Sequence, residues 1–270
     1  MKIATWNINS VRLRISLVER FLKENQPDVL CLQEIKCRDA EFPLAAFKAL
    51  GYPHIAINGQ KGYHGVATVS KIPFRDVAKQ GFCEMNDARH IGVTFEQEIG
   101  GKPLRLHNFY IPAGGDIPDP VANPKFAHKL RFLDELTAWI ENDRIADDYS
   151  IMVGDLNIAP LEADVWDHKA LLKVVSHTPI EVEKLNRVFS AGPWRDAMRM
   201  KIDPQEKLYT WWSYRSPNWE LANKGRRLDH IWLSDHLAPH LSDLSVHMDA
   251  RGWERPSDHV PVMVQIDLKR

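Results

Sequence analysis

A short apolar run at residues 151–153, set between polar neighbours, constrains the fold more than any other stretch. It is typical of a buried central strand, and Gly154 ends it. The longest helical pattern precedes it and begins at residues 123–124, with Asn as cap and Pro in the first position. A strand pattern at residues 104–109 precedes that helix. Strand, helix and strand in this order predict a crossover connection in a layered α/β sheet.

The rest of the chain also mixes strands with helices. A strand at residues 2–8, a helix with apolar residues at helical spacing over 15–22, and a strand at 28–32 are predicted near the N-terminus. Residues 53–109 contain short strand patterns separated by turn signals, which favours antiparallel pairing. Further patterns predict a helix at residues 42–50, a helix capped by Thr178, and strands at residues 209–214, 227–233, 244–248 and 260–268. No linker or composition shift divides residues 1–270, so we expect a single domain.

The charge of the chain is nearly balanced, with 35 Lys and Arg against 36 Asp and Glu. The net charge therefore does not indicate a polyanion partner. It is still compatible with one, if acidic residues hold a metal ion and basic residues surround it. Cys31, Cys37 and Cys83 are odd in number and lack the spacing of a zinc site, which favours reduced thiols. The chain runs straight into a strand pattern, without a signal peptide, and has no apolar run of membrane length. We expect a cytoplasmic protein that does not contact a membrane.

Asp155 and Asn157 follow the central strand on a loop that ends at Pro160. Two positions apart on extended backbone, their side chains can lie on one face. A carboxylate and a carboxamide placed in this way could hold a small polar group, such as a water or a phosphate oxygen. An Asx turn that closes the strand explains the same pattern. Three more polar clusters beside apolar runs favour the functional interpretation.

Asn7, Glu34 and the Asp258–His259 pair also stand at the ends of predicted strands. Glu34 ends an apolar run, where an unpaired buried carboxylate is costly, and a divalent ion with oxygen ligands offsets that cost. Two or three carboxylates with an amide suit Mg²⁺. Taken alone, Glu34 also fits a cap or a surface carboxylate.

His259 follows an acidic residue, which makes it a candidate for proton transfer or for stabilising a developing oxyanion. Asp229 is a second acidic partner that could orient an imidazole from an adjacent strand. A hydrogen-bonded structural histidine is the alternative. Together, a metal-binding Glu, an Asp/Asn pair and an Asp-His pair describe metal-assisted hydrolysis of a phosphate ester. The sequence has no Ser or Cys nucleophile motif and no Gly-rich phosphate loop, which favours direct attack by water.

These residues, in this order, resemble the endonuclease/exonuclease/phosphatase superfamily, and within it the exonuclease III type of abasic-site DNA endonuclease. The matching stretches span residues 5–262, essentially the whole chain. They are TWNIN (5–9), LQEIK (32–36), GQKGYHGVA (59–67), NFYIP (108–112), GDLN (154–157), TWWSYR (210–215), RLD (227–229) and SDH (257–259). Any one motif is weak, whereas eight in order are a specific match.

The resemblance implies a four-layered α/β sandwich, with two mixed, mostly antiparallel sheets packed face to face and helices outside. It also implies a divalent metal cofactor, Mg²⁺ or Mn²⁺ in its place. Glu34 would ligate this metal, with Asn7 and Asp258 nearby.

The resemblance further implies catalytic roles for five residues. Asp155, helped by Asn157, would position or deprotonate the attacking water. His259, oriented by Asp229, would contact the scissile phosphate. Tyr110 would hydrogen-bond that phosphate or assist the leaving oxygen.

Trp211 and Leu228 match positions that line the pocket for an extrahelical sugar, and a nucleotide without its base is easier to extrude than a paired one. Ala113 stands where family members often carry an amide, and Arg226 has a pocket-side position that is aromatic in some relatives, so both bear on substrate preference. Candidates for a salt-sensitive face toward DNA phosphates are Lys36, Lys61, Arg89, Lys125, Lys129 and Arg215. Each of these side chains singly also fits a solvated surface charge.

The main prediction is a Mg²⁺-dependent DNA repair hydrolase that cuts 5′ to abasic sites, leaves a 3′-hydroxyl and trims 3′ ends as a 3′→5′ exonuclease. Its partner would be double-stranded DNA, and it would act as a monomer, close to the nucleoid in a bacterium. One alternative is a metal-dependent phosphatase or phosphodiesterase for inositol phosphates or lipid headgroups. Another is a catalytically silent nucleic-acid-binding module. The stretches at residues 61–67 and 225–231 favour DNA, and the filled polar positions favour catalysis.

Overall fold

Two six-stranded β-sheets form the centre of the computed structural model, which describes residues 1–142, 149–216 and 218–268. In chain order the strands are β1 (Lys2–Asn7), β2 (Val29–Gln33), β3 (His54–Asn58), β4 (Val66–Ser70), β5 (Phe74–Ala78), β6 (His90–Ile99), β7 (Lys102–Tyr110), β8 (Tyr149–Asp155), β9 (Trp194–Asp196), β10 (Trp211–Trp212), β11 (Gly225–Arg226), β12 (Asp229–Ser234), β13 (Leu241–Val246) and β14 (Val262–Ile266). The α-helices are α1 (Ile15–Asn25), α2 (Leu44–Ala49), α3 (Pro124–Asn142), α4 (His168–Leu171), α5 (Pro179–Ser190), α6 (Ala197–Lys201) and α7 (Trp219–Ala222).

The two large sheets share one plan. The first has the strand order β13-β14-β1-β2-β4-β3, and the second has the order β5-β6-β7-β8-β12-β9. In each sheet one central pair is parallel, β1 with β2 and β7 with β8, and the other neighbours are antiparallel. The chain passes through α1 between the strands of the first parallel pair and through α3 between those of the second. The predicted crossover is therefore confirmed, and the first sheet contains a matching one.

Alternating side chains on the strands build the apolar layers. Ile3 of the first sheet and Ile151 of the second belong to one buried cluster between the sheets. Trp6 points to the outer face of the first sheet, where its ring meets Phe21 of α1 edge-on. Met152, the neighbour of Ile151, belongs to the outer cluster that α3 and α5 cover. This alternation follows from the two-residue period of a strand. It produces the layers helix, sheet, sheet and helix, and confirms the predicted four-layered sandwich.

A buried amide pair joins the two sheets near the strand ends. Gln33 Nε2 donates to Asn108 Oδ1 at 2.7 Å and to Thr5 Oγ1 at 2.9 Å. Asn108 Nδ2 donates to the carbonyls of Leu32 at 3.2 Å and Ala67 at 3.0 Å. Both amide side chains are fully buried. Because a buried polar group without its partner costs about 1–3 kcal/mol, these bonds hold the two sheets in one relative position.

The predicted elements agree with the structure wherever the pattern was long. The helices predicted over residues 15–22 and from residue 124 are α1 and α3, and Thr178 caps α5 in a capping box with Glu181. The strand predicted at residues 209–214 is only the two-residue β10, which pairs with β11 in a separate ribbon. No sequence pattern predicts β9, α6 and α7, because elements of three to five residues show no period.

Two expectations about the environment of the chain can be compared with the structure. Cys31, Cys37 and Cys83 are all buried free thiols, as reduced cysteines would be. No helix within the described ranges is long and apolar enough to cross a membrane.

Candidate active site

Four polar side chains meet where the parallel strands of both sheets end. Asn7 is the last residue of β1, and Glu34 directly follows β2. Tyr110 and Asp155 are the last residues of β7 and β8 and lie opposite each other in register. Because parallel neighbours end at the same sheet edge, and the two sheets pack face to face, the four side chains lie close together.

The turn after β8 places Asp155 at this edge. Gly154 has φ +142°, and a Cβ there would lie 1.9 Å from the carbonyl oxygen of Phe109, so no larger residue fits. Asn157 has φ +54°, its backbone N–H donates to Asp155 Oδ1 at 2.9 Å, and its Nδ2 donates to the Ile111 carbonyl at 2.9 Å. The loop is thus the Asx turn that the pattern allowed, and it leaves Asp155 Oδ2 directed to the site.

Asn7 connects the two sheets through its carboxamide. Its Nδ2 donates to Glu34 Oε1 at 3.0 Å and to Asp155 Oδ2 at 2.8 Å. The hydroxyl of Tyr110 donates to the same Glu34 oxygen at 2.8 Å. Burial and the nearby Glu34 carboxylate raise the pKa of Tyr110 well above its ordinary value, so the phenol stays protonated.

A line of three buried groups leads into the site from the second sheet. Asp229 faces Asp155 in the register of β12 and β8. His259 Nδ1 lies 2.8 Å from Asp229 Oδ2, and its Nε2 lies 3.6 Å from Asp155 Oδ2. Trp6 Nε1 donates to the His259 carbonyl at 3.0 Å, and the Ser257 hydroxyl accepts from the His259 N–H at 3.2 Å, which hold the histidine in place.

The charges in this line shift the pKa values of its members. Burial would lower the pKa of His259, but the carboxylates of Asp229 and Asp155 raise it to about 10. Burial raises the pKa of Asp155 to about 7, although the histidine beside it acts in the opposite direction. One potential ligand atom each from Asp155, Asp229 and His259 lies within 4.8 Å of the others, so this group could hold a metal ion. The hydrogen bond between Asp229 and His259 favours instead a shared proton on this side of the site.

The residues predicted to ligate the metal form a neighbouring all-oxygen set. Glu34 and Asp258 line a common cavity, and the amides of Asn7 and Asn9 lie beside them. Lys36 Nζ lies 2.8 Å from Glu34 Oε2 and donates to Asn9 Oδ1 at 2.6 Å. Asn9 Nδ2 donates to Asp258 Oδ1 at 3.1 Å. Carboxylate and amide oxygens around a place that already attracts a cation fit a hard divalent ion.

The cavity extends from these carboxylates to an apolar recess and has a volume of about 820 Å³. Trp211, Arg226 and Leu228 line it together with His259, so the structure brings the predicted pocket residues into one cavity with a residue predicted to be catalytic. Trp211 Nε1 donates to Asp258 Oδ2 at 2.9 Å, which links the recess to the metal-ligand set. Ala113 lies at the rim and is exposed.

The structure scatters the predicted basic residues. Lys36 lies in the site, as described above, while Lys61, Lys125 and Arg215 are exposed. Arg89 is buried, pairs with Asp87 and donates to the Tyr110 carbonyl at 3.2 Å. Its guanidinium lies 5.1 Å from the Tyr110 ring. Contact of these residues with DNA stays a prediction.

The assignment of Lys129 to a solvent-facing DNA surface is wrong. The side chain is fully buried, and its Nζ donates to Glu181 Oε1 at 2.5 Å and to the Asn157 carbonyl at 2.8 Å. Lys129 lies on the same helical face as Phe126 and Leu133, one turn to either side, which are both buried. That spacing is the signal that could have placed it in the interior.

Sequence reasoning missed several residues that support the site. Asn9 bridges Lys36 and Asp258, and Lys129 holds the Asn157 loop from behind.

Glu34 and Asn157 both have left-handed backbone, with φ +49° and +54°. Non-glycine residues in this region are uncommon and gather at functional sites.

Comparison with known proteins agrees with this geometry. The chain matches the endonuclease/exonuclease/phosphatase family over residues 4–259, so it belongs to that family. It is 32% identical to exodeoxyribonuclease III of Haemophilus influenzae over 274 residues, which cover 98% of this chain and 99% of that protein. The family is metal-dependent.

Two solved structures show the same likeness. The 3′ phosphatase NExo from Neisseria, bound to a product DNA hairpin, has a TM-score of 0.89 and 32% identity over 99% of each chain. An AP endonuclease from Archaeoglobus fulgidus has a TM-score of 0.89 and 31% identity, again over 99% of each chain. These relatives confirm the prediction of a DNA repair nuclease of this family, a hydrolytic phosphodiesterase.

Proposed function

We propose that the protein is a Mg²⁺-dependent DNA repair hydrolase that cleaves the phosphodiester 5′ to an abasic site and leaves a 3′-hydroxyl. The same site would trim 3′ ends, as a 3′→5′ exonuclease or 3′-phosphatase. The observation that carries this proposal is the line from Asp229 through His259 to Asp155, which ends beside the carboxylates of Glu34 and Asp258. It places a proton acceptor, a fixed cation and metal-ligand oxygens next to one another.

The catalytic steps follow from the state of each group. Asp155, with its pKa near 7, accepts a proton from the attacking water close to neutral pH. The water oxygen bonds to phosphorus, the bond from phosphorus to the 3′ oxygen breaks, and that oxygen leaves with a proton. His259, kept protonated by Asp229, donates to a phosphate oxygen on which charge develops. The protonated hydroxyl of Tyr110 is placed to donate to the leaving oxygen or the phosphate.

Glu34, with Asn7 and Asp258, would hold the metal, Mg²⁺ or Mn²⁺ in its place. When bound, this ion supplies charge neutralisation of the phosphate. Burial opposes ionisation of Glu34, but the Lys36 ammonium and the Asn7 amide lower its pKa below the ordinary value. The carboxylate is therefore ready to bind a cation without a change of protonation.

The proposal extends to the substrate and to the state of the protein. Trp211 and Leu228 would receive the base-free sugar, and Lys36, Lys61, Arg89 and Lys125 would contact DNA phosphates. We also propose that residues 1–270 form one catalytic domain, active as a monomer in the cytoplasm. Support for this comes from the site itself, which takes residues from both sheets and from positions 7 to 259 of a single chain.

The test is cleavage of a labelled duplex that contains one abasic site, in Mg²⁺ and in EDTA, beside an undamaged duplex of the same sequence. We expect a metal-dependent nick immediately 5′ to the lesion, with a 3′ end that a DNA polymerase can extend. A product of the same length that a polymerase cannot extend would contradict the proposed chemistry.

The same assay separates the two alternatives. Release of phosphate from a soluble inositol phosphate, without any nick in the duplex, would indicate a phosphatase for inositol phosphates instead of a DNA repair enzyme. Binding of the abasic duplex without turnover in Mg²⁺ or Mn²⁺ would indicate a silent nucleic-acid-binding module.

A further inference from the structure

Arg226 is a partly buried cation, and the nearby Glu181 acts on it electrostatically without forming an ion pair with it. Its Nη1 donates to the Val175 carbonyl at 3.0 Å and to Ser176 Oγ at 2.7 Å. Its Nε is buried without a hydrogen-bond partner, and Nη2 makes no hydrogen bond with any residue that the structure describes. Within the same described ranges it forms no ion pair with a carboxylate. A guanidinium has five N–H donors, so Arg226 keeps donors that the protein does not use.

These unused donors lie next to the catalytic groups. Arg226 pairs with Trp211 in the β10–β11 ribbon, and its guanidinium lies 5.2 Å from the Trp211 ring. Trp211 in turn donates to Asp258 and forms a backbone bridge with His259. The cation therefore stands one side chain away from the proposed metal-ligand set and the phosphate-binding histidine.

One side of the recess that contains Arg226 is apolar, while Asn157, Ser176 and Lys224 line the cavity elsewhere. Leu228 belongs to a buried cluster against which Trp166 and Trp211 pack, and all three line the cavity. Beside these apolar faces, the unused N–H groups of Arg226 offer strong hydrogen-bond donors. A sugar ring with an oxygen substituent matches this chemistry, whereas a ring without that substituent would leave these donors without partners.

We propose that Arg226 donates a hydrogen bond to the C1′ oxygen of the base-free deoxyribose, so that the enzyme selects an oxygen-bearing abasic sugar over a ring without that oxygen. This inference rests on the proposed function and specifies how its substrate is recognised. A buried site built to hydrogen-bond a substrate hydroxyl discriminates strongly against an analogue without it, because its own donors then stay unpaired.

The experiment compares two duplexes that differ in one atom group. One carries a natural abasic site, and the other carries tetrahydrofuran, which has the same ring and phosphates but no C1′ oxygen. The steady-state kcat/KM for cleavage in Mg²⁺ is measured for both duplexes. We expect the wild-type protein to prefer the natural site by at least about tenfold.

Two variants assign the preference to Arg226. Arg226→Leu removes all donors, and Arg226→Lys keeps the charge but has one nitrogen, which cannot reach Ser176 and a sugar oxygen in the forked geometry of arginine. Both should bring the ratio of the two kcat/KM values to within about threefold of one, chiefly by loss of activity on the natural site. The matched control is Arg215→Leu, which removes an exposed arginine from the same cavity and should leave the ratio unchanged.

The outcomes separate this inference from the proposed function. If the wild-type protein cuts neither duplex, the proposed function fails. If it cuts both with a ratio near one, or if Arg226→Lys keeps the full preference, the inference fails while the proposed function stands. Thermal melting of each variant verifies that it is folded. If Arg226→Leu does not fold, Arg226→Lys alone tests the inference.

Discussion

Oδ2 of Asp155 lies 3.6 Å from Nε2 of His259, although Asp155 ends β8 of the second sheet and His259 lies just before β14 of the first sheet. The carboxylate has a pKa raised to about 7 and the imidazole a pKa raised to about 10. Between these values the histidine carries a proton and the aspartate does not. A base and a cation side by side are what in-line attack of water on a phosphate diester requires.

Replacement of Asp155 by asparagine tests the proposed base. The shape of the side chain is nearly conserved, so Asp155→Asn should fold, but it cannot accept the proton and should lose about 10²–10⁴-fold in kcat. Single-turnover cleavage of the abasic duplex measures this loss. Asp116→Asn, at an exposed position in the same cavity, is the control for removal of one negative charge. Near-normal turnover of a folded Asp155→Asn protein would show that the base is elsewhere.

The pH dependence of the reaction should report on His259. Its pKa is raised, so the protonated form persists until the pH rises through about 10, and activity should fall there. The same shift stabilises the folded state fully below the ordinary pKa of 6.5, and this stabilisation is lost as the pH rises through about 10. Asp229→Asn removes the largest cause that raises the pKa, so the alkaline limb of its pH–rate profile should move to lower pH. An alkaline limb that matches the wild type would separate Asp229 from the titration of His259.

The metal requirement should depend on Glu34. Loss of this carboxylate by Glu34→Ala removes a ligand and should raise the Mg²⁺ concentration for half-maximal activity at least about tenfold. Titration of cleavage rate with Mg²⁺ measures the change. Glu24→Ala, which breaks only an exposed pair with Arg20, serves as control and should keep the wild-type midpoint. Equal midpoints for the two variants would exclude Glu34 as a ligand.

The buried pair of Lys129 and Glu181 should control stability. Lys129→Met leaves the Glu181 carboxylate buried without its cation and should lower the free energy of unfolding by about 3–5 kcal/mol. Lys129→Met with Glu181→Gln should recover part of this loss, because no uncompensated charge remains. Urea denaturation measures the free energy of unfolding of the wild-type protein and of each variant. Lys125→Met, on the exposed face of the same helix, should change stability by no more than about 0.5 kcal/mol. If Lys129→Met matched this control, the pair would contribute no stability.

The sequence by itself determined where the strands end and which polar residues stand there. Asn7, Glu34, Tyr110 and Asp155 each stand at the end of a predicted strand, and the helices before β2 and β8 predict the parallel pairs that bring such ends to one edge. These are local features, since a strand period, a cap and a turn depend on residues a few positions apart. The motifs in order then identified the family, and with it the sandwich.

Only the tertiary structure decided how these ends meet. The contact of Asn7 with Asp155 spans 148 positions, and that of Gln33 with Asn108 spans 75, so no local pattern contains them. For the same reason the charge of Lys129 looked like part of a DNA-facing surface, although the fold buries it. Burial and the pairing of charges arise from long-range packing, and they also set the pKa values on which the proposed chemistry depends.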